Sequence, residues 1–84
     1  MEVHIIKCIN PYFTQMWNKR KPFEIRLNDR DYKTDDYIIE QEWENEKYTG
    51  REIYGRILDV INFPDGLKNN YVAFGVFIYK LGRV

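Results

Sequence analysis

Apolar and polar residues alternate with a period of two over most of this chain, the pattern of half-buried β-strands. Val3 to Ile9 is a β-prone run in which His4, Ile6 and Cys8 share one face. Phe23 to Leu27 alternates cleanly, with Phe23, Ile25 and Leu27 opposite Glu24 and Arg26. Tyr37 to Trp43 sets Tyr37, Ile39, Gln41 and Trp43 against Ile38, Glu40 and Glu42. Arg51 to Asn62 predicts a long strand with Gly55 as a bulge or tight bend, and Tyr71 to Leu81 a closing apolar strand. Asn10-Pro11 interrupts this pattern and suits a helix start, with Asn10 capping and Pro11 at the first helical position. Phe13, Met16 and Trp17 then fall at i, i+3 and i+4 as one apolar stripe. The helix should end near Asn18-Lys19, because the residue before Pro22 avoids helical geometry.

Polar, turn-forming stretches separate these runs at Asn28 to Asp36, Glu44 to Gly50 and Phe63-Pro64-Asp65-Gly66. About five short strands with one short helix after the first predict an α+β domain dominated by β, closed as a small barrel. No repeat or linker divides the chain, so residues 1–84 are expected to form one domain. A chain of this length must fill its core efficiently, and an aromatic content of 17% suits that need.

Charge narrows the partners. Thirteen basic residues balance 13 acidic ones, which excludes a polybasic binder held by bulk charge and confines any nucleic-acid site to a local patch. The lone Cys8 excludes an intramolecular disulfide and suits a reducing, cytoplasmic setting. No apolar run nears the roughly 18 residues needed to cross a bilayer, and Met1-Glu2-Val3-His4 lacks a signal-peptide pattern. No membrane, metal or cofactor is therefore expected. The chain is read as a monomer or weak homodimer, since burying further apolar surface helps so small a domain.

The densest chemistry lies in Lys19 to Tyr32, which joins five basic and three acidic residues to a clear strand alternation. Glu24 and Arg26 point the same way, and Lys21 at the strand entrance reaches the same space. Such a group can grip a phosphate or base edge, with Arg26 forming paired hydrogen bonds. Lys21 and Glu24 can alternatively act as an acid–base pair. A third possibility is a solvated face, or an ion pair worth under about 1 kcal/mol.

The remaining candidates divide between packing and binding. His4 is the sole histidine, a poor basis for a metal site, and belongs at the core margin or the mouth of a cleft. Cys8 is expected as a small buried hydrophobe, too far along the strand from His4 for a nucleophilic dyad. Glu40, Glu42, Glu44 and Glu46 recur at every second residue, the spacing of a solvated acidic face, with cation binding as the alternative. Trp43 is expected in the core, whereas Tyr32 and Tyr48 are equally suited to packing or to stacking on a base.

The run Lys21-Pro22-Phe23-Glu24-Ile25-Arg26, followed by Asn28-Asp29-Arg30, resembles the signature of ASCH domains in the PUA-like superfamily. More narrowly, it is similar to a small bacterial and phage subfamily, DUF3850. Asp35-Asp36, Trp43, Tyr48-Thr49-Gly50-Arg51-Glu52 and Tyr71-Val72 follow that subfamily's order, and His4 and Lys7 match its opening strand. The resemblance covers nearly the whole chain. It implies a PUA-like β-barrel and an RNA- or nucleotide-binding cleft lined by Lys21, Glu24 and Arg26. Asn28, Arg30, Arg51 and His4 join that expected site, with Gly50 making a tight turn that starts a strand at Arg51. Pro22 stands where the subfamily usually has Thr, and Asp35 where it has Gly, so the backbone at Asp35 must tolerate or avoid positive φ.

Some ASCH relatives are enzymes, including an amidohydrolase of acetylated cytidine that uses a Lys, a Thr and a Glu. Lys21 matches that Lys, but Glu24 occupies the Thr position, so this mechanism does not carry over. The function expected is RNA or nucleotide binding. The alternatives are a small hydrolase using Lys21 and Glu24 on a modified nucleoside or RNA, and a phage or mobile-element protein that binds a host protein.

Overall fold

A computed structural model describes residues 1–84. The chain forms β1 (Val3–Ile9), α1 (Tyr12–Trp17), β2 (Phe23–Leu27), β3 (Tyr37–Glu44), β4 (Lys47–Ile61) and β5 (Tyr71–Arg83). The five strands make one sheet in the order β1-β3-β4-β5-β2. The β1–β3 pair is parallel, running from Val3 opposite Tyr37 to Ile9 opposite Trp43, and the other neighbours are antiparallel. The sheet wraps around its core as a half-barrel. Its two edges, β1 and β2, are not joined to each other by a strand ladder.

The helix forms where the sequence places it, from Tyr12 rather than Pro11. Pro11 takes the N-cap position in place of Asn10, and the Asn10 Oδ1 just before it accepts from the Thr14 backbone N–H at 3.0 Å and the Thr14 hydroxyl at 2.7 Å. Phe13 and Met16 are fully buried, so the helix fills one side of the half-barrel. Asn18 ends it, and Lys19 takes φ 59° in the reversal that follows.

The hairpin between β3 and β4 is tighter than expected. Glu44 pairs with Lys47, leaving a two-residue turn of Asn45 and Glu46, both at positive φ. Gly50 consequently lies inside β4, at φ 98°, rather than in a loop. Val84 N–H donates to the Gly50 carbonyl at 2.7 Å, and a side chain at Gly50 would meet the Val84 carbonyl. Asp35 accepts the positive φ its position demands, at 74°. The Phe63–Gly66 turn forms as expected, Gly66 N–H donating to the Phe63 carbonyl at 3.0 Å.

The interior face carries Ile6 and Cys8 from β1, Ile38 from β3, Ile53 and Ile57 from β4, and Val72, Phe74 and Val76 from β5. Polar residues share it. Of the 17 buried residues, five are polar or charged: His4, Glu24, Asp36, Glu40 and Glu42. Two expectations fail here. Glu40 and Glu42 are not on a solvated face, because Ile38 on the same side turns that side inward. On β2 the expected alternation holds with its polar face turned inward: Glu24 is buried, while Phe23, Ile25 and Leu27 are about half exposed. Trp43 is only half-buried, on the outer face, with the Lys7 Nζ 3.9 Å from its ring centroid.

The Gly55 position tests the strand geometry directly. The β4–β5 register shifts between Tyr54 and Gly55, the irregularity anticipated there. A Cβ at Gly55 would press into Val76 Cγ1 and lie 3.1 Å from the Phe77 carbonyl oxygen. Gly55→Ala should therefore destabilise the fold by about 1–3 kcal/mol in urea unfolding. Adding Val76→Ala should recover part of that loss; a neutral Gly55→Ala would show the packing here to be loose.

Candidate functional site

The gap between β1 and β2 forms a cleft of about 710 Å³. Ile6 to Ile9 line one wall and Phe23 to Leu27 the other, with Tyr12, Lys21, Asp29, Arg30, Tyr32 and Tyr71 completing it. One side chain crosses the gap. Arg26 Nη2 donates to the Lys7 carbonyl at 2.8 Å, and its Nε lies 3.3 Å from Glu24 Oε1. The exposed apolar side chains of β2 form lips around this polar centre.

Lys21 stands at the entrance, its Nζ donating to the Phe23 carbonyl at 2.9 Å and lying 5.1 Å from the Phe23 ring. Arg30 is exposed on the adjoining loop. Lys7 contributes mainly its carbonyl, since its ammonium sits over Trp43. The cations that face the cleft are thus Lys21, Arg26 and Arg30.

Behind the lips, Glu24, Glu40 and Cys8 meet. One ligand-type atom of each lies within 4.8 Å of the others, and all three residues are buried. Burial, reinforced by the neighbouring Glu24 carboxyl, holds Glu40 well above the ordinary carboxylate range. Burial first, then the charges of Glu40 and Glu24, push the Cys8 thiol far up. Cys8 is as buried as expected, but its carboxylate neighbours come from two other strands and are not visible in sequence spacing.

Three residues expected at the site stand elsewhere. His4 is buried and donates from Nε2 to Asp36 Oδ2 at 2.8 Å, with its ring 4.8 Å from that of Tyr32. It ties β1 to the loop before β3, and it does not line the cleft. Burial alone would raise the Asp36 carboxyl, yet hydrogen bonds from His4, Glu2 N–H and Lys33 N–H bring it below its usual value. Tyr32 packs between His4 and Phe74 and reaches the cleft only as part of its floor. Asn28 Oδ1 accepts from Tyr32 N–H at 3.0 Å, closing the loop after β2, and the residue borders a separate depression of about 380 Å³.

Arg51 is the third. Its guanidinium runs beneath α1, 4.8 Å from the Trp17 ring, and forks onto Glu42 through Nε at 2.8 Å and Nη2 at 2.6 Å. Thr49 Oγ and Asn10 Nδ2 donate to the same carboxylate, at 2.5 and 2.6 Å. This network fastens the helix to the β3–β4 hairpin. The Tyr48–Glu52 motif is structural at these two residues, and Arg51 is absent from the cleft lining.

These features define a small, mostly β half-barrel with one short helix and a charged cleft at its open seam. The chain belongs to the family described as domain of unknown function (DUF3850), which it matches over residues 3–76. It is also 34% identical over 68 residues to the uncharacterized 12.9 kDa protein in the GpA 3′ region of Escherichia phage P2. That match takes in 81% of this chain and 62% of the phage protein.

Arg51 sets the acid sensitivity of this architecture. Its hydrogen bonds hold the buried Glu42 carboxyl down at about 2, against an unperturbed 4.5. The lowered folded value means that Glu42 stabilises the fold fully above about 4.5 and loses that contribution as pH falls toward 2. Glu42→Gln should flatten the decline of stability across this window in pH-dependent urea unfolding. Arg51→Ala, which strands a buried carboxylate, should cost about 3 kcal/mol at neutral pH.

Proposed function

We propose that this chain is a PUA/ASCH-like module that binds a nucleotide or single-stranded RNA in the cleft between β1 and β2. The carrying observation is the pairing of apolar lips with a strip of cations on a chain of zero net charge. Tyr12, Phe23, Ile25, Leu27 and Tyr71 offer surfaces for a base, and stacking of one base contributes about 1–3 kcal/mol. Lys21, Arg26 and Arg30 supply the charge for adjacent phosphates. Arg26 uses Nη2 and Nε within the protein, leaving further guanidinium N–H groups for a ligand. A cleft of about 710 Å³ lies within the usual range for small-ligand sites, roughly 300–1,000 Å³. A cytoplasmic setting is part of this proposal.

One observation favours a hydrolase as the second reading. Paired buried carboxyl groups beside a cleft are how acid and base roles are divided between similar side chains. In that reading Glu24, which lines the cleft, takes a proton from water, and Lys21 stabilises developing negative charge.

Fluorescence anisotropy with short single-stranded and hairpin RNAs distinguishes these readings. Binding should weaken with salt at a logarithmic slope of about −2, as for roughly three phosphate contacts on a single strand. Lys21→Ala with Arg30→Ala, both outside the buried core, should weaken binding about tenfold or more. Cleaved RNA or released base after incubation would move the chain to the hydrolase class. Absence of binding at low salt would defeat the nucleic-acid reading and turn the search to protein partners.

A further inference from the structure

The cluster behind the cleft poses a problem of charge. Glu40 is fully buried, and neither of its carboxylate oxygens has a hydrogen-bond partner; Glu24 Oε2 lacks one as well. A buried carboxylate left without compensation is costly by several kcal/mol. Every other buried acid in the half-barrel is answered: Asp36 by His4, and Glu42 by Arg51, Thr49 and Asn10. Glu40 stands out because the groups that meet it are another carboxyl, Glu24, and the Cys8 thiol.

We infer that Cys8, Glu24 and Glu40 form a site for a divalent cation of the zinc type, whose remaining coordination position faces the cleft. The three residues come from β1, β2 and β3, and their ligand atoms already lie within 4.8 Å of one another. Thiolate with carboxylate favours a borderline dication such as Zn²⁺ over Mg²⁺ or Ca²⁺, which prefer oxygen alone. Cys8 and Glu24 line the cleft while Glu40 lies behind them, so the ion would be held from below and reached from above. Three protein ligands with one open position is the arrangement of reactive rather than structural zinc.

The surroundings balance the charge. Three anionic ligands, the Arg26 guanidinium and one dication leave the buried group neutral. Arg26 holds Glu24 through Oε1, which leaves Oε2 free to turn toward the cluster. It thus acts as the outer partner that orients a metal-bound carboxylate. The competing occupants are protons on Glu40 and Cys8, which neutralise the same groups without a metal. This inference stands on the cluster's own geometry and does not depend on the RNA reading.

Titration of the reduced, chelator-treated chain with Co²⁺ decides between metal and protons. The expected result is saturation near one ion per chain, with an intense thiolate-to-cobalt charge-transfer band that Zn²⁺ abolishes. Cys8 is the only cysteine, so such a band can have no other source within the chain. Cys8→Ser should remove the band. Glu40→Gln, nearly isosteric, should weaken binding by more than about 100-fold, beyond the loss typical of an outer partner. Circular dichroism checks that both variants remain folded, and the native chain's spectrum decides the matter if either does not. Absence of the band in the native chain would overturn the inference and assign the cluster to protons. Equal Co²⁺ affinity in folded Glu40→Gln would overturn it too.

Discussion

Arg26 spans the one place where the sheet does not hydrogen-bond to itself. Its guanidinium reaches from β2 to the Lys7 carbonyl on β1, standing in for the ladder that would otherwise join the two edges. That reach requires the polar face of β2 to turn inward. Glu24, two residues away, turns in with it and becomes buried, and Phe23, Ile25 and Leu27 are forced outward as lips. The cleft, its cations and its acidic floor all follow from this orientation. A strand ladder between β1 and β2 would close the barrel and fill the cleft with backbone.

Alternation in the sequence defines faces but does not say which face is inside. The extents of β1 and β2 were legible to the residue, and the start of the helix after Asn10 to within one residue. These rest on local signals: a period of two and an Asn-Pro step. The side on which β2 is buried was not legible, because apolar residues usually mark the interior and here they line an opening. The same limit applied to β3, where Ile38 was the only apolar residue on the face it shares with Glu40 and Glu42. The partners of Glu42 on that face, Thr49 and Arg51 from β4 and Asn10 from the turn before α1, are brought to it by pairing across the sheet, which is not local information.

The expected site was legible in its first half only. Lys21, Glu24, Arg26 and Arg30 come from one continuous segment, and the structure brings them to one cleft. His4, Asn28 and Arg51 lie in segments whose destinations depend on tertiary packing. Each has become a fastening: His4 to Asp36, Asn28 to the Tyr32 backbone, and Arg51 to Glu42. Their motif character reflects the need to satisfy buried polar groups in a domain too small to exclude them all.

This polar interior explains why function can concentrate at one point. Where a buried acid has several donors, as at Asp36 and Glu42, it is fixed in one ionisation state and serves the fold. Glu40 has no such donors, and its nearest polar neighbours are another carboxyl and a thiol. Its state must change with whatever occupies the cluster, a proton or a cation, while the surrounding strands stay anchored by the other pairs. Because Glu24 belongs both to this cluster and to the cleft lining, any change of occupant alters the charge presented to a ligand. The same side chain that Arg26 draws inward to close the seam thereby connects the interior's one uncompensated acid to the surface where binding occurs.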